Sequence, residues 1–110
     1  SLVRVADREV LQRHGLGSEY HYESLAGRRK VKAMEPFIVH PPREFPDATA
    51  VFPHPGEEFL LVLKGAIEVQ VGEREFRLDS GDSLYFDSEL PHRMRTVSRG
   101  AAEVLVVAAH

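Results

Sequence analysis

The chain has 110 residues, enough for one domain and too few for a second core. Apolar residues make up 43% and charged residues 28%, a balance that excludes a disordered chain, and the net charge of -3 argues against direct nucleic-acid binding, which calls for a clustered basic excess. The absence of cysteine excludes disulfides and thiolate metal sites, and no apolar run nears the roughly 18 residues of a membrane span. Without a signal-peptide pattern or cysteines, the expected compartment is the reducing cytoplasm.

Residues 1–18 are expected to form an N-terminal arm or linker, and residues 19–110 a single β domain. Asp7 to His14 has only Val10 and Leu11 as an apolar face before Gly15 and Gly17, which predicts an irregular segment. From Glu19 the pattern changes to strands. Tyr20, Tyr22 and Ser24 alternate with His21, Glu23 and Leu25, and Val31 to Val39 contains Pro36, which suits an edge or bent strand. Prolines at 41, 42, 46 and 53 make the next stretch a loop.

The second half is more regular. Phe59 to Leu63 is a continuous apolar run that predicts a fully buried strand. After Lys64-Gly65, Ile67, Val69 and Val71 alternate inward against Glu68 and Gln70. Phe76 and Leu78 then alternate against Arg77 and Asp79, and further strands are expected at 83–87, 93–98 and 102–109. Short strands with turn signals every eight to twelve residues predict an all-β sandwich or closed barrel, and the jelly roll is the member that manages its edges with two Greek keys. A small β domain also gains by dimerising over an exposed edge, so a homodimer is expected.

His54 and Glu58 bracket the turn before the Phe59 strand, and His92 follows Pro91 at the start of a later one. Imidazole nitrogens with a carboxylate oxygen can hold Zn, Fe, Ni or Mn, and two histidines with one carboxylate leave coordination positions open. Both His54 and Glu58 can face inward if the strand begins by His54 or if Pro55-Gly56 makes a compatible turn. The ordinary alternative is a solvated acidic corner at Glu57 and Glu58.

The segments HPGEEFLLVLKG (54–65) and GDSLYFDSELPHRMRT (81–96) together resemble the two motifs of the cupin family, a double-stranded β-helix or jelly-roll barrel. His54-x3-Glu58-x6-Gly65 fits the end of the first motif, and the 81–96 segment fits the second in spacing. The family's first histidine falls at Phe52, and Asp87, Glu89 and Thr96 replace its Pro, Gly and Asn. The resemblance implies a metal site at His54, Glu58 and His92. Phe52, Tyr85, Met94, Arg93 and Arg95 are the candidate lining of a ligand pocket, with an arginine available to pair an anion.

Two functions follow from the resemblance. The run from 18 to 95, with its MEPF, HPGEEF and GDSLYFDS-x-LPHR segments, closely resembles the effector-sensing part of XRE-type helix-turn-helix regulators. Such a domain binds a small molecule and touches DNA only through a separate N-terminal domain. The H-x3-E-F-L-L-V-L arrangement is also similar to that of iron-dependent phosphonate-epoxidising cupins, which implies a stand-alone metal-dependent enzyme of oxygenase, epoxidase or isomerase type. No convincing general base stands beside the triad, since Glu57 is expected to face outward. The regulator reading is preferred because its resemblance is spread along the chain.

Overall fold

A computed structural model describes residues 1–12, 21–47 and 55–109. Among these residues the chain is almost entirely β, with one 3-10 turn at Val5–Asp7 and strands β1 (Glu9–Gln12), β2 (His21–Ser24), β3 (Met34–His40), β4 (Glu57–Lys64), β5 (Ala66–Val71), β6 (Arg74–Asp79), β7 (Ser83–Asp87), β8 (His92–Thr96) and β9 (Glu103–Ala109). They form two antiparallel sheets, one ordered β1-β2-β3-β9-β4-β7 and one ordered β6-β5-β8. The crossovers, with β9 between β3 and β4 and β8 beside β5, are those of a jelly roll. No described helix is long and apolar enough to cross a membrane.

Alternation decides which side chains meet between the sheets. In β5, Ile67, Val69 and Val71 point inward, with Ile67 at 0% exposure, while Glu68 and Gln70 point out. On the facing sheet Leu60 and Val62 of β4 and Val104 and Val106 of β9 complete the same core, which Val39, Leu78 and Met94 extend. Tyr22 and Phe37 close one side edge to face, their centroids 5.8 Å apart. These elements match the alternation expected from the sequence.

Three expectations are corrected. The segment expected to be an irregular arm contributes a strand: β1 pairs with β2 from Glu9↔Ser24 to Gln12↔His21 and forms one edge of the larger sheet. The Pro36 strand is interior, between β2 and β9. Its carbonyl accepts from Leu25 N–H at 3.1 Å, so its nitrogen also faces β2, whose pairing has already ended at Ser24↔Phe37. The missing N–H therefore removes no bond from the β3–β9 ladder. Finally, β4 is buried on one face only. Glu58, Leu60 and Val62 lie inside, whereas Phe59 and Leu61 are half-buried on the outer face and Leu63 is 46% exposed.

Gly65 makes the tight link from β4 to β5 at a φ of 77°. A Cβ there would lie 2.6 Å from the Ser98 hydroxyl and 3.1 Å from the Ala102 backbone, which cannot swing away. Gly72 also has a positive φ, 58°, but nothing lies within 4 Å of its Cβ position. Gly65→Ala is therefore expected to cost about 2–4 kcal/mol, and Gly72→Ala only about 1 kcal/mol, in urea unfolding midpoints. Equal costs would show that backbone crowding at Ala102 is not what reserves position 65 for glycine.

Candidate metal centre

Glu58 and His92 come from different sheets and meet inside the barrel. Glu58 is the second residue of β4, placed inward with Leu60 and Val62, and is 7% exposed. Its strand enters from Pro55-Gly56, where Gly56 takes a φ of 111°. His92 opens β8 and shares its inward parity with Met94 and Thr96, opposite Val71 of β5. The His92 Nε2 and Glu58 Oε2 atoms are 3.1 Å apart.

The surroundings set the chemistry of this pair. Phe86, the register partner of Glu58, packs its ring 5.1 Å from the imidazole. The His92 Nδ1 lies 2.7 Å from the Leu90 carbonyl oxygen, to which it donates. The Ser88 hydroxyl, fully buried, donates to Glu58 Oε2 at 3.4 Å. Burial of the ring opposes charging, but the hydrogen bond and charge of Glu58, with the Leu90 carbonyl, outweigh it and hold His92 above the ordinary imidazole pKa.

These two residues fit a divalent ion by their chemistry. With Nδ1–H committed to Leu90, the ring presents Nε2 as its coordinating atom, the orientation usual for ligating histidines. A buried carboxylate beside it supplies the oxygen donor. Among the described residues no three His, Cys, Asp or Glu side chains converge as a metal cluster. The third expected ligand, His54, lies outside the described residues, as does Phe52.

The other expected pocket residues divide between the two sides of the sheets. Met94 points inward, two residues after His92 on β8, and is buried in the core cluster. Tyr85 does not line the interior: it pairs with Phe59 on the outer face, is 63% exposed and donates its hydroxyl to Glu57. That bond raises the Tyr85 pKa, and Glu57 itself faces out. Arg93 and Arg95 are also outside, because they flank inward-facing Met94. Arg93 donates to Gln70 Oε1 at 2.6 Å and to the Pro46 carbonyl at 2.8 Å, and Arg95 Nε donates to Glu68 Oε1 at 2.9 Å. Their guanidinium carbons lie 4.7 and 5.1 Å from the Phe45 ring centroid. Neither arginine reaches the cup.

Ser88 and the Leu90 carbonyl are site residues that the motif reading did not single out. Ser88 is a small polar residue in a turn, and only its zero exposure marks it.

The comparisons with known proteins agree with this architecture. The family model described as "Cupin domain" matches residues 36–108. Among curated proteins, the (S)-2-hydroxypropylphosphonic acid epoxidase of Streptomyces wedmorensis is 29% identical over 94 residues, covering 81% of this chain and 47% of that protein. The chain thus spans about half the length of this curated relative. Among solved structures, Fe(II) HppE in complex with substrate aligns with a TM-score of 0.80 at 23% identity, over 98% of this chain and 59% of that one. The cupin domain of Schizosaccharomyces pombe Cnp3 aligns with a TM-score of 0.70 at 14% identity, over 96% and 71% of the two chains. At these identities the structural likeness establishes the fold.

The raised His92 pKa has a consequence for the metal-free protein. A group whose folded pKa lies above its unfolded value contributes stability that is complete below the unfolded pKa, near 6.5, and is lost as pH rises through the folded value. In EDTA-treated protein, Glu58→Gln is expected to cost on the order of 1–3 kcal/mol at pH 6 and clearly less at pH 9, by urea denaturation. A cost independent of pH would mean that Glu58 does not raise the His92 pKa.

Proposed function

Because this chain belongs to the cupin domain family, we propose that it binds a small molecule in the cup of its barrel, beside a divalent metal ion held by His54, Glu58 and His92. The observation that carries this reading is the buried Glu58–His92 pair, 3.1 Å apart and contributed by opposite sheets. A carboxylate and an imidazole in an apolar interior are costly unless they serve each other or a ligand. Iron is the ion best supported, since the solved relative HppE carries Fe(II).

When bound, a divalent ion supplies Lewis acidity or redox chemistry at its open positions. The chain's own contribution is to orient and to enclose. Ser88 and the Leu90 carbonyl aim the two ligands, while Phe86 and Met94 give the surroundings an apolar character.

The preferred finer reading is the effector-sensing part of a helix-turn-helix regulator, in the cytoplasm, with DNA contacted only by a separate domain. Two features support it: the resemblance extends along the chain beyond the metal motif, and Glu57, the sequence neighbour of Glu58, faces outward and accepts from Tyr85. In such a sensor the ligand must favour one arrangement of the attached domains by differential affinity. The second reading, a metal-dependent enzyme of oxygenase or epoxidase type, is supported by the 29% identity to an epoxidase.

A second copy of the chain is the partner we propose. Continuous apolar strands β4 and β9 leave Phe59, Leu61, Leu105 and Val107 half-buried on the outer face of the larger sheet, with exposed Tyr85 beside them. β4 starts at acidic Glu57 and ends at Lys64. A two-fold axis that reverses β4 against its copy brings these opposite charges together around the apolar band.

Elemental analysis of untagged protein is expected to find about one divalent ion per chain, lost in His54→Ala and His92→Ala. No metal in the wild type would leave a ligand-binding barrel without a metal centre. A screen of small organic acids is expected to raise the melting temperature of the loaded protein without conversion, and turnover of a bound compound would instead favour the enzyme. In sedimentation velocity the wild type is expected to run as a dimer and Leu61→Glu as a folded monomer. A monomeric wild type would remove the proposed interface.

A further inference from the structure

The loop between β7 and β8 does more than connect them. Its residues Asp87, Ser88, Glu89 and Leu90 fold into a turn closed by two bonds, Leu90 N–H to the Asp87 carbonyl at 3.2 Å and Glu89 N–H to Asp87 Oδ1 at 2.9 Å. The Ser88 N–H donates to the Gly56 carbonyl at 3.0 Å, which ties the turn to the residues that lead into β4. The Ser88 hydroxyl reaches Glu58 Oε2, two residues further along the same chain segment, and Leu90 receives Nδ1–H from His92. One turn therefore addresses both metal-binding side chains, although these belong to different sheets.

The chemistry of Ser88 suits this task. A serine with no exposed surface is expensive in an apolar interior unless its hydroxyl has a partner, and Glu58 provides one. Alanine would fill the space nearly as well, so the packing needs no oxygen here. The acceptor is the same carboxylate oxygen that faces His92. The hydroxyl thus meets the carboxylate at the oxygen that faces His92.

We infer that the Asp87–Leu90 turn preorganises the metal centre and that Ser88 is a positioning residue for Glu58. This rests on the metal-binding reading given above. Outer-shell partners of this kind typically contribute 10–100-fold in metal affinity. At 3.4 Å the Ser88 contact is longer than the roughly 2.5–3.0 Å usual for a hydroxyl donor, which leaves room for it to shorten when the carboxylate coordinates.

The test is a Co(II) titration of the full chain, followed by visible absorption and by competition with a chelating dye. Ser88→Ala is expected to bind Co(II) 10–100-fold more weakly and to change the Co(II) absorption bands at saturation, with the metal-free melting temperature near that of the wild type. Ser88→Thr, which keeps the hydroxyl, is expected to restore both affinity and bands. Asp87→Ala, on the exposed side of the turn, is expected to weaken binding by loosening the turn, and it decides the matter if the Ser88 variants do not fold. Wild-type affinity and bands in Ser88→Ala, or in Asp87→Ala should that variant decide, overturn the inference while leaving the metal site standing. A wild type that binds no more tightly than His92→Ala overturns the metal reading, and the inference with it.

Discussion

The contact between Glu58 and His92 constrains the rest of the molecule, because a buried carboxylate is tolerated only with a partner and its partner stands on the opposite sheet. For the two to meet, Glu58 must face inward, and with it Leu60 and Val62. His92 must face inward too, with Met94 and Thr96. A one-residue slip of either strand would turn Glu58 or His92 to solvent and the strand's core residues outward together. Core and site are consequently set by the same parity. The register of β4 on both β7 and β9, and of β8 on β5, holds that parity in place.

The outward-facing half of each strand has a separate role. On the smaller sheet, Arg93 and Arg95 alternate with the core positions, pair with Gln70 and Glu68 on β5, and stack over Phe45. With the Arg93 bond to the Pro46 carbonyl, they brace the 41–47 segment against that sheet. Arg43 adds to this by donating to the Ser98 carbonyl at 2.7 Å. Arginine is suited to this bracing because its planar fork donates in plane while its face stacks on a ring. The larger sheet differs: its outer face along β4 and β9 is apolar, which is the physical basis for the proposed second copy.

Much of the fold was legible in the order of residues. Strict alternation in 66–71 and 74–79 gave both the strands and their inward faces, since a strand's two-residue period leaves no other arrangement once one side is apolar. Where alternation was absent, the reading was weaker. The run from Phe59 to Leu63 looked buried on both faces, but within one chain only one face has a sheet opposite it. Pro36 pointed to an edge or bent strand because a proline lacks a donor. It sits inside the sheet because its nitrogen faces the side where β2 has already ended. Val10 and Leu11 were too few for a helical face, and they pair with β2 through backbone groups that carry no residue-specific signal.

By itself the sequence determined the fold class, the inward parity of the central strands and the membership of Glu58 and His92 in one motif pair. The first two depend on local periodicity, which a linear string records, and the third on the resemblance of segments 54–65 and 81–96 to the cupin motifs. Only the tertiary structure decided that Tyr85, Arg93 and Arg95 stand outside, and that Ser88 and the Leu90 carbonyl reach the Glu58 and His92 side chains. The face on which a charged or aromatic residue lies depends on the register of strands distant in sequence. A serine hydroxyl becomes a site group only when a partner from another strand arrives within reach.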